Sequence, residues 1–82
     1  MVISVSFFGL QRKLVQTDRV QVLLSSKIRV VDDLFHYIKK RYPALSLSKE
    51  SVLVTVNNYA SSLDHELRPD DEVSFMPHIG GG

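Results

Sequence analysis

The sequence predicts a two-layer α+β domain in which one amphipathic helix covers one face of a sheet of about five strands. Three observations carry that reading. The first residues alternate with a period of two, a single central stretch sets its apolar residues on one helical face, and the second half returns to short strand-like runs between turn residues. One helix covers one face of one sheet, which leaves the other face to solvent or to a partner.

Taken in order, Ile3, Val5 and Phe7 alternate with Ser4, Ser6 and Phe8, the period of a strand. Gly9 to Gln16 reads as a connection. Val20 to Leu24 is a second strand, ended by Ser25-Ser26-Lys27. Val31, Leu34, Phe35, Ile38 and Tyr42 fall on one face of a helix. Asp32 and Asp33 stand in its first turn and Lys39, Lys40 and Arg41 in its last, both suited to the helix dipole, and Pro43 stops it. Val52 to Val56 is a third strand, Asn57-Asn58 a turn, and Tyr59 to Ser62 a short fourth strand. Leu63 to Pro69 is irregular, Pro69-Asp70-Asp71 is a tight turn, and Glu72 to Met76 is the last strand, with Val73 and Phe75 on one face. Regular structure is expected to end at Pro77.

Composition narrows the classes. A chain of 82 residues is one domain. At that size it buries only about 60% of its unfolded surface, so the core is thin. There is no cysteine, which excludes disulfides, thiolate metal sites and a cysteine nucleophile, and suits a reducing compartment. Ten basic and nine acidic side chains give a net charge of +1, and no basic run is interleaved with aromatics, so no nucleic-acid partner is expected. No apolar stretch approaches the roughly 20 residues that cross a membrane. The first residues read as a strand rather than a charged leader, so a soluble cytoplasmic protein is expected.

The most informative segment is Pro77-His78-Ile79-Gly80-Gly81-Gly82. Glycine has no side chain, so a glycine run threads a channel too narrow for other residues. Six extended residues reach roughly 20 Å. Such a tail presents a terminal carboxylate to another protein's active site.

Val5-Ser6-Phe7-Phe8-Gly9 with Arg12 and Leu14, Val31-Asp32-Asp33-Leu34, Val56-Asn57-Asn58, Asp64-His65-Glu66-Leu67, and Asp71-Glu72-Val73-Ser74-Phe75 with Pro77 and Gly81-Gly82 span nearly the whole chain. Together they resemble the ubiquitin-like sulfur carriers, and among these the small subunits of molybdopterin synthase; the thiamine-pathway carrier is of the same broad family. The sequence departs from that pattern at Val30, where the family has Thr or Ser as a helix cap, at His78, where it often has a second proline, and at Gly80, which adds freedom beside the glycine pair.

The resemblance implies a ubiquitin-like β-grasp over residues 1–76, a mixed sheet with one main helix packed on one face, and a reactive tail over residues 77–82. It implies that Gly82 is adenylated by a ubiquitin-activating-type adenylyltransferase using ATP and Mg. A persulfide donor would then supply sulfur, and the resulting thiocarboxylate would attack a cyclic pterin precursor held by the large subunit of the synthase, in a heterotetramer. Gly80 and Gly81 would thread the partner's channel, and the family's contact positions fall on Phe8, Ala60 and Met76. The chain would be the sulfur-donating subunit of a sulfurtransferase complex, without a complete active site of its own. It has no Gly-x-x-x-x-Gly-Lys-Ser/Thr phosphate loop, so the ATP chemistry belongs to the partner.

Plainer readings stand beside these. His36, His65 and His78 lack metal-ligand spacing, and no metal site is expected. Asp70-Asp71-Glu72 lacks the pattern of a calcium loop and reads as a solvated turn. Ser25-Ser26 and Ser61-Ser62 have no elbow or base spacing. Phe8 and Met76 break the apolar-in, polar-out rhythm of their strands. Scattered surface hydrophobes are common. In a ubiquitin-like fold, however, these two strands run side by side and parallel, which brings both residues to one end of the outward face as a docking patch. Two other function classes remain open: a ubiquitin-like modifier that ends in isopeptide bonds, and an interaction module with an incidental glycine end. A carrier for thiamine or for transfer-RNA thiolation remains within the first class.

Overall fold

The computed structural model describes residues 1–76. Its elements are β1 (Val2–Ser6), α1 (Leu10–Val15), β2 (Arg19–Leu23), α2 (Val31–Arg41), β3 (Leu53–Val56), β4 (Tyr59–Ala60) and β5 (Glu72–Met76). The five strands form one sheet in the order β2-β1-β5-β3-β4. The central pair β1–β5 is parallel and the others are antiparallel, so the sheet is mixed, as the β-grasp requires. The first and last strands of the chain therefore lie side by side.

The period of two sorts the strands as expected. Ile3, Val5, Val22, Val54, Val56, Val73 and Phe75 point inward and are buried. Val31, Leu34, Phe35 and Ile38 of α2 meet them, with Phe35 edge-on to Phe75 at 5.6 Å between ring centres. Phe7 continues the inward row beyond β1 and packs edge-on against Tyr42. Leu45, Leu47 and Leu67 close the core from the loops.

The turns follow from their residues. Asn57 and Asn58 both take positive φ, 52° and 72°, the two-residue hairpin conformation that suits asparagine. Asp70 has φ 69° after Pro69, and the Asp71 amide donates to the Arg68 carbonyl at 3.2 Å. The Asp71 carboxylate accepts from the Arg68 amide and from the Asn57 side chain, which ties the β3–β4 turn to the start of β5.

Two expectations are corrected. The segment after β1 is not a plain connection, because Leu10–Val15 forms a short helix. Its apolar pattern hides it: Leu10 and Leu14 face outward, at 68% and 44% exposure, while the polar Gln11 is buried. The fourth strand is only Tyr59–Ala60, shorter than the four residues expected.

The start of α2 lacks a side-chain cap, as Val30 predicts, but it is not left bare. The Val31 and Asp32 amides donate to the carbonyls of His65 and Leu63, at 3.0 and 2.8 Å. The Asp33 carboxylate accepts from the Arg29 and Val30 amides. Those two donors, Arg29 first, hold its carboxyl below the ordinary value of 3.8.

Candidate functional site: the end of the sheet at the root of the tail

Direct pairing across the strands shows which side chains share the face away from α2. Leu53 pairs with Met76, Thr55 with Ser74 and Ala60, and Ser6 with Ser74 and Arg19. Ser4 pairs with Glu72 and Gln21. The outer face is thus graded. Serines and polar or charged groups occupy its middle, the Val2–Leu23 pair lies at one end, and apolar groups gather at the other, where β5 runs into the tail.

The polar part is tied internally. Ser6 donates to Glu72 at 2.9 Å, Arg19 donates to the Ser4 hydroxyl at 3.2 Å, and Arg19 lies 3.6 Å from the Glu72 carboxylate. Ser4, Ser6 and Ser74 are buried, so the middle of the face is flat. A shallow hollow of about 250 Å³ opens between this cluster, Phe8 and Arg12.

Phe8 is 53% exposed, beyond the end of β1. Met76 is half-buried at the end of β5, and Ala60 is exposed on the edge strand, one row further in. Leu53, 48% exposed and paired with Met76, extends the apolar row, and sequence reasoning missed it. The signal was the same one that exposed Phe8: Leu53 is an apolar residue out of phase with Val54 and Val56. A further exposed leucine on this face, Leu23, lies at its opposite end, paired with Val2.

Behind the patch the chain leaves β1 through Gly9, at φ 55° and ψ −127°, a conformation that favours glycine. The turn starts α1 and brings back Gln11, which is only 7% exposed. Its Nε2 donates to the Phe75 carbonyl at 2.6 Å, and its Oε1 accepts from the Phe8 amide at 3.3 Å. Sequence reasoning missed Gln11 as well, and nothing in a lone glutamine between two leucines marks it.

Gly80, Gly81 and Gly82 lie outside the described residues, as does His78. Among the described residues no group of three or more His, Cys, Asp or Glu side chains is placed to hold a metal ion. No helix among them is long and apolar enough to cross a membrane. What the described residues supply is an apolar surface row, Phe8, Met76 and Leu53, at the end of the sheet where β5 stops.

The sequence profile of the ThiS family matches residues 5–82. The molybdopterin synthase sulfur carrier subunit of Escherichia coli is 35% identical over 82 residues, which span 98% of this chain and 99% of that protein. A Pyrococcus furiosus protein assigned as subunit 1 of molybdopterin converting factor superposes with a TM-score of 0.78 at 28% identity, over 96% of this chain and 99% of that one. Subunit 1 of molybdopterin-converting factor from Helicobacter pylori, solved in complex with subunit 2, shares the fold, with a TM-score of 0.65 at 19% identity over the full length of both chains.

Proposed function

The chain belongs to the ThiS family, and from that premise we propose that it is the sulfur carrier subunit of a molybdopterin synthase. The observation that carries the reading is the apolar end of the outer face, Phe8, Met76 and Leu53, gathered where β5 runs into the glycine tail. Likeness over the full length to a sulfur carrier subunit supports it. A large subunit is the partner that this face suits, in keeping with the Helicobacter pylori pair.

The chemistry follows from the tail. A carboxylate is a poor electrophile, so an adenylyltransferase with ATP and Mg would join the Gly82 carboxylate to AMP and release pyrophosphate. The terminal sulfur of a persulfide then attacks the acyl carbon and expels AMP. A thiol breaks the remaining S–S bond and leaves the thiocarboxylate, whose sulfur attacks carbon of a cyclic pterin precursor. Gly80 and Gly81 provide the thin segment that fits a partner's channel. Phe8, Ala60 and Met76 contact that partner, the folded domain staying outside its active site. The cytoplasm, where ATP and reducing thiols are at hand, is the compartment this chemistry needs.

The test is the intact mass of the chain after incubation with an adenylyltransferase, ATP, Mg and a persulfide donor. Replacement of one oxygen by sulfur, lost when Gly82 is deleted, is the expected result. Unchanged mass would overturn the reading, and isopeptide conjugates to lysines of other proteins would replace it with that of a modifier.

A further inference from the structure

We propose that the Gln11 side-chain amide is a wedge that ends the β1–β5 ladder and fixes where the tail leaves the sheet. In this parallel pair the Ser4 amide donates to the Asp71 carbonyl at 2.9 Å, one residue before its partner Glu72. The same rule, carried along the pair, would join the Phe8 amide to the Phe75 carbonyl and set Phe8 opposite Met76. The register instead stops at Ser6 and Ser74.

At the next rung Gln11 stands between the two groups. The Phe8 amide donates to Gln11 Oε1, and Gln11 Nε2 donates to the Phe75 carbonyl. A primary amide carries the same donor and acceptor as a peptide group, so it enters the ladder as an extra rung. It opens the pair by about one strand spacing, ~4.8 Å. Both main-chain groups stay satisfied, the Phe75 carbonyl at a buried position and the Phe8 amide at a part-buried one, so the opening leaves no orphan.

The sequence supports the stop from the other side. The rung after this one would need an amide at residue 77, and Pro77 has none. The Phe8 carbonyl accepts from the Gln11 amide at 3.0 Å instead. Gly9 supplies the turn that brings Gln11 back to the gap. Wedge and proline together release the chain from β1 at Met76, while β3 still holds Met76 through Leu53. They also keep Phe8 and Met76 apart on the docking face. The wedge rests on Gln11, Phe8 and Phe75 alone; its effect on the tail rests on the carrier reading.

Two variants test it, Gln11→Ala, which removes the wedge, and Gln11→Leu, which keeps its bulk without its hydrogen bonds. Three quantities are measured: hydrogen exchange at the Phe8 amide, the nuclear Overhauser contact between Phe8 and Met76, and the KM for the carrier in ATP–pyrophosphate exchange by an adenylyltransferase. In Gln11→Ala the strands close, the Phe8 amide exchanges more slowly, the contact appears, and KM rises about tenfold at unchanged kcat. In Gln11→Leu the amide exchanges faster, the contact stays absent, and KM holds. Faster exchange in Gln11→Ala without the new contact would overturn the wedge, because a merely structural glutamine gives that result. Equal KM in both variants and the parent would overturn its role at the tail. Absence of any exchange with the parent chain would count against the carrier reading, and the two spectroscopic measurements would still decide the wedge.

Discussion

Replacing Phe8 with alanine separates docking from folding. An aromatic side chain offers about 150–250 Å² of surface, and Phe8 is 53% exposed, so roughly 80–130 Å² remains for a partner to cover. At about 25 cal/mol per Å² that area is worth about 2–3 kcal/mol of association. The lower figure corresponds to roughly thirtyfold in Kd. Folding should lose less, because the exposed half of the ring gives nothing to the core and the hydrogen bond from the Phe8 amide to Gln11 is a main-chain donation that alanine keeps. Calorimetric titration against the large subunit of the synthase, beside a denaturation curve, measures both. Leu53→Ala, at 48% exposure in the same apolar row, should weaken binding in the same direction. Leu23→Ala, at the far end of the face, should leave Kd unchanged. Unaltered affinity in Phe8→Ala would remove the patch from the account. A stability loss larger than the affinity loss would place the ring in the core.

Val30→Thr should stabilise the domain by about 0.5 kcal/mol, the low end of cap effects, because two first-turn amides already bond to Leu63 and His65 and the Asp33 amide is the one left for a hydroxyl to reach. A fall in the denaturation midpoint would show that the lost methyl packs usefully. Gly9→Ala should destabilise by about 1–3 kcal/mol through local backbone strain at φ 55°, since a Cβ there meets no more distant part of the chain within 4 Å. An unchanged midpoint would mean that the turn relaxes freely. The Asp33 carboxyl is held below its ordinary 3.8 by the Arg29 and Val30 amides, so its contribution is fully present above that value and is lost as the pH falls through the folded value. Asp33→Asn should therefore lower stability at neutral pH and flatten its decline in acid, and parallel acid profiles for the two proteins would refute this.

What was legible in the sequence and what was not divide along a physical line. Strands and the main helix bury one face, and burial leaves a period: Ile3, Val5 and Phe7 at two, Val31, Leu34, Phe35 and Ile38 near 3.6. Phe8 and Leu53 are both apolar residues out of phase with the buried residues of their strands. The short α1 has no period to show, since its leucines face outward and its buried residue is a glutamine. A buried glutamine is positioned by what it bonds, and Phe75 is 64 residues away. Local pattern cannot report a contact of that range. The caps on α2 escaped for the same reason, being carbonyls of a loop more than thirty positions along the chain.

The placement of β5 bears on the proposed carrier role, in which the tail is offered without unfolding. β5 is the central strand, paired with β1 through Ser74 and with β3 through Met76. Pairing on both sides, which β5 shares with β1 and β3, protects it from fraying better than an edge strand, and its inward residues Val73 and Phe75 are buried against the helix layer. Tension on the tail would therefore meet an interior strand, whereas a tail rooted on an edge strand such as β4 would peel a ladder of two residues. The two ladders end at different places, though. On the β1 side Gln11 takes over after Ser74, and on the β3 side pairing continues to Met76. At Met76 the strand is thus still held by β3 while its pairing with β1 has ended, so under the wedge proposed for Gln11 the last anchored residue is set by groups within the fold.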